Sequence, residues 1–224
     1  MICFSPSHNL TLADLSPAQI LPVIRAWTSI YTAHLSPHSA LARAAPATTL
    51  AAAPTPQYRW MQIFENKGAA MGCSNPHPHG QVWVATGLPE EPALELRQML
   101  RYRREQGGAH LLGDYAALEA ARGERVVFEN AGWIAVCPWW ATWPFEVMVV
   151  SKAHRRALVD LDEGEREGLA EALAEVTRRY DNLFETQFPY SESICRSASG
   201  AWTKADGTRH GAASGAAGGD GGGD

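Results

Sequence analysis

Residues 77–81 read His-Pro-His-Gly-Gln, which sets two imidazoles and a carboxamide at alternate positions. In an extended chain, residues two apart share a face, so His77, His79 and Gln81 project in a common direction. Pro76 and Pro78 stiffen the approach by fixing φ. Imidazole, with an ordinary pKa of about 6.5, is available neutral near pH 7 as a nucleophile. Attack by such a ring splits a displacement at phosphorus into two easier steps. Gln81 adds a neutral amide able to hold a phosphoryl oxygen where charge develops. Upstream, Gly68 and Gly72 allow a backbone to approach an anion closely, with amides available to phosphate oxygens. Taken alone, a His-x-His pair is more often a metal site, a surface feature or chance than a nucleophile.

The surrounding elements must position this segment. Residues 58–66 alternate apolar and polar and predict a strand, and residues 77–84 predict a turn running into a second strand. Before them, Ser16 can cap a helix with Pro17 at its first position. Its apolar face is Ile20, Val23, Ile24, Trp27 and Ile30, while Pro22 predicts a kink or a later start. Residues 92–106 predict a charged helix with Leu96, Met99 and Leu100 on one side, and residues 115–122 a shorter one. Residues 125–129 and 133–138 read as paired strands across Asn130, Ala131 and Gly132, and residues 146–151 as a further buried strand. A long amphipathic helix follows Asp162 and ends near Phe184, with Leu169, Leu173, Val176 and Tyr180 inward. Tryptophans cluster between Trp133 and Trp143, where dense core is expected, and Trp139, Trp140 and Trp143 are read as core. His34 and His38 are read as solvated, His154 equally as a packing or surface residue or as a functional one, and His110 and His210 carry no signal.

The whole chain has 224 residues, 46% of them hydrophobic, enough for one globular domain or one and a fraction. A net charge of −5 argues against sequence-independent binding of nucleic acid. No apolar run reaches the roughly 18–20 residues of a membrane span, and the N-terminus lacks the features of a signal peptide. Cys3, Cys73, Cys137 and Cys195 are scattered without a pairing pattern, which fits a reducing compartment, so a cytoplasmic protein is expected. Residues 36–57, rich in Ala, Pro, Thr and Ser, predict a flexible insertion, and residues 211–224 predict disorder.

The run ENKGAAMGCSNPHPHGQ over residues 65–81 closely resembles the active-site signature of the galactose-1-phosphate uridylyltransferases of the histidine-triad superfamily. There His-x-His-x-Gln marks nucleotidyl transferases, and His-x-His-x-His marks mostly hydrolases. Residues 2–8, 139–146, 152–154, 179–184 and 188–191 also resemble the family, giving coverage of most of residues 1–191 around the insertion. The resemblance implies an α+β fold: a mostly antiparallel sheet, an open half-barrel, backed by helices. It would comprise a nucleophile-bearing half over residues 1–110, an incomplete second half over 111–191, and a disordered tail over 192–224. It implies that His79 attacks the α-phosphorus of UDP-glucose, holds UMP as a phosphoramidate, and passes it to galactose 1-phosphate. Asn66, Gly72, Cys73, Ser74 and Gln81 match positions lining the UDP site. His8 and His77 match two ligands of a zinc site, and Glu95 one ligand of a second, iron-type site. Family members are homodimers with substrate contacts across the interface.

The departures carry expectations of their own. The family's Cys-x-x-Cys zinc ligands lie upstream of Met1, and the three histidines that join Glu95 have no counterpart here. After Ser191 the family continues with a Gly-Trp-His-type segment, whereas this chain has Glu192, Ser193, Ile194, Cys195 and Arg196. A chain truncated at both ends is expected, from a shortened gene model, a frameshift or aberrant splicing, with its own turnover in question. Two other readings stand beside this one. They are a different histidine-triad enzyme, a dinucleotide phosphorylase or hydrolase, and a product with no activity.

Overall fold

The computed structural model describes residues 1–35, 58, 60–194 and the backbone of 201–203. The chain runs β1 (Ile2–Cys3), α1 (Pro17–Leu35), β2 (Trp60–Lys67), β3 (His79–Ala85), α2 (Glu90–Glu105), α3 (Leu111–Arg122), β4 (Val126–Glu129) and β5 (Trp133–Val136). It continues through β6 (Met148–Ser151), α4 (Glu163–Phe184), β7 (Tyr190–Ile194) and β8 (Ala201–Thr203). The strands form one open eight-stranded sheet ordered β1-β3-β2-β7-β8-β6-β5-β4, antiparallel at every pairing. The fold is α+β, as expected.

Local chemistry explains the helices. Gln19 reaches back to accept from the Ser16 backbone N–H at 3.0 Å, closing one half of a capping box before α1. Pro22 neither delays nor ends this helix: it sits exposed inside it. At α4 both halves of the box are present, with Asp162 accepting from Glu165 N at 2.8 Å and Glu165 accepting from Asp162 N at 3.0 Å. The β4–β5 turn is held by Asn130, whose Oδ1 accepts from the backbone of Gly132 and Trp133 at 3.1 and 2.9 Å.

Burial tells the two ends of the sheet apart. On β2, Met61, Ile63, Glu65 and Lys67 point inward and alternate with half-buried neighbours, because only one face is covered by helices. All four residues of β5 are buried. Trp133 and Ala135 join the main core with Phe4, Trp27, Leu169 and Tyr190, while Ile134 and Val136 pack with Leu112 and Ala116 of α3. Both chain halves supply that main core, and β7 pairs with β2 across them.

Three readings change here. Trp133 is 2% exposed as expected, but Trp139, Trp140 and Trp143 are 75%, 51% and 37% exposed. The segment between Pro138 and Pro144 turns, with Ala141 N donating to Pro138 O at 2.9 Å, and this lifts those rings onto the surface. Trp139 lies 4.8 Å from the Arg125 guanidinium and Trp140 4.6 Å from the Tyr115 ring. His34 is half-buried, with Nδ1 donating to Ile30 O at 2.9 Å, and so is not simply solvated. Residues 192–194 complete β7, and 201–203 form β8 between β7 and β6, against the expectation of a structureless tail from residue 192. A slot between two strands satisfies a backbone on both edges, which local composition does not show. The predicted insertion at 36–57, the Gly-rich end, Cys195, His38 and His210 lie outside the described residues.

Candidate active site

Gly80 decides which way the two chemical residues of β3 face. A Cβ on Gly80 would meet the Phe4 ring at 3.0 Å and Phe64 O at 3.2 Å, so this position abuts the core. Strand alternation then turns His79 and Gln81 to the uncovered face. Cys3 is the cross-strand partner of His79, and Asn66 that of Ser191. The β2–β3 register, continued two residues beyond the pair Phe64–Gln81, brings Asn66 level with His79. Cross-strand partners project to the same side. A row Cys3, His79, Asn66, Ser191 therefore crosses four strands on one face, with Gln81, Phe64 and Ser193 as the next row.

Within that row His79 is half-buried, and its ring is oriented by its own turn. Nδ1 lies 2.8 Å from the carbonyl of His77. A carbonyl only accepts, so Nδ1 carries the hydrogen and Nε2 keeps its lone pair. Beside it, the Asn66 amide oxygen accepts from Ser191 Oγ at 2.6 Å, which leaves the Asn66 NH2 to other partners.

The glycine loop turns several of its amides on itself. Gly68 and Gly72 have φ of +91° and +81°, and a Cβ on Gly68 would meet Pro189 at 3.0 Å. These glycines shape the turn around Ala69–Met71. The amides of Met71 and Cys73 donate to Gly68 O at 3.0 and 3.3 Å, that of Gly72 to Ala69 O at 3.0 Å, and that of His77 to Asn75 Oδ1 at 3.0 Å. These four amides are spent inside the loop rather than offered to an anion. Of the residues predicted there, Ser74 is exposed, and Cys73 is half-buried with its thiol donating to Asn75 O at 3.0 Å.

The predicted metal residues separate into two cases. His8 and His77 come together, Nδ1 to Nδ1 at 3.1 Å, with rings stacked 5.2 Å apart. Two nitrogens on one tetrahedral zinc, at about 2.0–2.1 Å each, stand roughly 3.3 Å apart, so this pair fits as two of four ligands. Glu95 lies exposed on α2, its carboxyl held above the usual range by partial burial and by Glu91. Among the described residues no group of three or more His, Cys, Asp or Glu is placed to hold a metal. Elsewhere His110 and His154 stack at 3.6 Å, and burial, then the charges of His110 and Arg103, push the His154 pKa down.

Sequence reading missed the polar cluster beneath this face. Glu65 and Lys67 share the parity of Met61 and Ile63 on β2, the one available sign that they point inward. Tyr190 Oη donates to Glu65 Oε2 at 2.7 Å, and Lys67 Nζ pairs with Asp181 of α4 at 3.1 Å. Burial pushes the Glu65 pKa up to about 7, against the pull of Tyr190 and Lys67.

An open antiparallel α+β sheet with a His-x-His-x-Gln strand on its bare face defines a scaffold of the uridylyltransferase type. A solved uridylyltransferase superposes with a TM-score of 0.77 at 23% identity, over 90% of this chain and 60% of that one. An ADP-glucose phosphorylase from Arabidopsis thaliana with bound ADP-glucose superposes with a TM-score of 0.70 at 21% identity, over 90% and 60%. At these identities the likeness speaks for the fold. The galactose-1-phosphate uridyl transferase N-terminal domain model matches residues 1–89, and the C-terminal domain model residues 95–210. The chain belongs to the galactose-1-phosphate uridylyltransferase family. The enzyme of that name from Neurospora crassa is 56% identical over 87% of this chain and 52% of its own length. The Hypocrea jecorina enzyme is 58% identical over 87% and 52%, and the Haemophilus influenzae enzyme 44% over 85% and 49%. The chain spans about half the length of these curated relatives. Among the described residues, no helix is long and apolar enough to cross a membrane.

Proposed function

We propose that this chain carries the nucleophile of a uridylyl transfer from UDP-glucose to galactose 1-phosphate, with His79 as the catalytic residue. The observation that carries the reading is the Nδ1 contact to the His77 carbonyl, which commits the lone pair to Nε2. Nε2 attacks the α-phosphorus, a P–N bond forms, and the P–O bond to glucose 1-phosphate breaks with its electron pair on the departing phosphate. The ring of the phosphoramidate is cationic, and its Nδ1–H stays on the His77 carbonyl, which stabilises that charge. A phosphate oxygen of galactose 1-phosphate then attacks the same phosphorus, the P–N bond breaks, and neutral His79 returns with UDP-galactose released. No proton needs to move in either step.

Gln81, on the same face and about 6.5–7 Å along the strand, is the donor for a non-bridging oxygen. Asn66, level with His79, offers its NH2 to the same diphosphate, and Gly72, Cys73 and Ser74 border it. Zinc, where bound, would be held by His8 and His77 with two further ligands and would fix the turn that precedes the nucleophile. Homodimer formation and a cytoplasmic location are further parts of this proposal; sedimentation of the purified chain reads the first.

The test is incubation with UDP-glucose radiolabelled at the α-phosphorus. An acid-labile, base-stable label on wild type, absent from His79→Ala, is expected. Label persisting on His79→Ala moves the chemistry elsewhere, and folded wild type without label supports a chain that lacks activity. Preferential labelling from an ADP-sugar would favour the phosphorylase reading.

A further inference from the structure

Directly behind the Asn66–Ser191 contact, on the helix-covered side of the same two strands, two carboxyl groups face each other. Glu65 of β2 and Glu192 of β7 are cross-strand partners, which sets their Cβ atoms about 4.5–5.5 Å apart. Like charges so placed repel, and the repulsion grows where water is scarce. Glu65 is 4% exposed, and Glu192 keeps only part of its surface in solvent. The facing ionisable groups are Lys67 on β2, Tyr190 on β7 and Asp181 on α4. Lys67 is already bound to Asp181 through both carboxylate oxygens, at 3.1 and 3.2 Å, and Tyr190 donates to Glu65 as a neutral hydroxyl. Three carboxyls thus meet one ammonium.

We infer that Glu65 and Glu192 share a proton which fastens β7 to β2, and that Ser191, carried between them on the opposite face, is the positioning residue for the Asn66 amide. The contact orients the amide because Ser191 Oγ donates to its oxygen at 2.6 Å, fixing which end of Asn66 faces a ligand. Glu65 titrates near 7, pushed up chiefly by burial, and desolvation and the charge of Glu65 push Glu192 well above the carboxylate range. Both shifts are upward, so the folded chain binds more protons than the unfolded chain above the ordinary carboxyl value of 4.5. The stabilisation is therefore complete below that value and is lost as pH rises through about 7. The assignment of Asn66 to a nucleotide rests on the proposed function, but the strand contact does not.

The full chain is unfolded thermally from pH 5 to 8 while the Asn66 side-chain amide is followed by 15N NMR. Wild type is expected to lose roughly 5–10 °C in Tm across that range. Glu192→Gln removes most of this slope, and Glu65→Gln does the same should Glu192→Gln not fold. Ser191→Ala shifts the Asn66 amide resonances at every pH and leaves the Tm slope intact, while Ser191→Thr restores them. UDP binding reports separately: Ser191→Ala is expected to raise its Kd about fivefold, one hydrogen bond's worth. Equal slopes in wild type and both Gln variants overturn the shared proton, and an Asn66 amide indifferent to Ser191→Ala overturns the positioning role. Amide shifts without any UDP binding by wild type leave the strand contact standing and count against the proposed function instead.

Discussion

At the scale of single residues, Gly80 separates chemistry from core. Its missing Cβ lets β3 lie on the Phe4 ring, and that close approach turns the neighbouring imidazole and carboxamide outward. Gly80→Ala is expected to cost about 1–3 kcal/mol by overpacking, read from denaturant unfolding, and to lower uridylylation of His79 by shifting the strand. The motif His-Pro-His-Gly-Gln was legible as a chemical site because each residue type has a narrow use. The fate of several loop amides was not: the φ values of +91° and +81° at Gly68 and Gly72 serve a turn in which Met71, Gly72 and Cys73 donate back to the turn's own carbonyls.

At the scale of elements, periodicity and capping carried most of the reading. The long helix after Asp162 was legible from its apolar spacing, and its N-terminus also holds Trp133, whose indole N–H donates to Glu165 O at 2.8 Å. Asp162→Ala is expected to cost about 1 kcal/mol, seen as a lower denaturation midpoint with an unchanged slope. On β5 the two-faced burial makes Ile134→Ala more severe, about 2–5 kcal/mol by the same measurement. The aromatic run from Trp139 to Phe145 misled, because apolar composition shows what a segment could bury and not which way its turn directs it. Phe145 itself has φ of +64°, and its carbonyl accepts from Tyr180 Oη.

At the scale of the molecule, the sheet is continuous from the strands around His79 to the second half, and α4 ties the two together. Lys67 and Asp181 are the polar part of that tie, since Asp181 also accepts from Phe188 N at 2.8 Å. Asp181→Ala is expected to destabilise by about 3 kcal/mol, because it leaves an ammonium buried without its partner. Lys67→Met in the same chain should recover most of that loss, since an apolar replacement has no charge to desolvate. Equal stability of the single and double variants in chemical denaturation would show that the pair carries no such coupling.

The sequence by itself determined the family, the strand that carries His79 and the helices with clear apolar spacing. Those depend on contacts within a few residues, or on a motif long enough to leave little choice. Only the tertiary structure decided that Ser191 meets Asn66 and that Glu192 faces Glu65. These pairs join residues 125 and 127 positions apart. Such pairings are set by strand register and sheet order, and no local spacing encodes either.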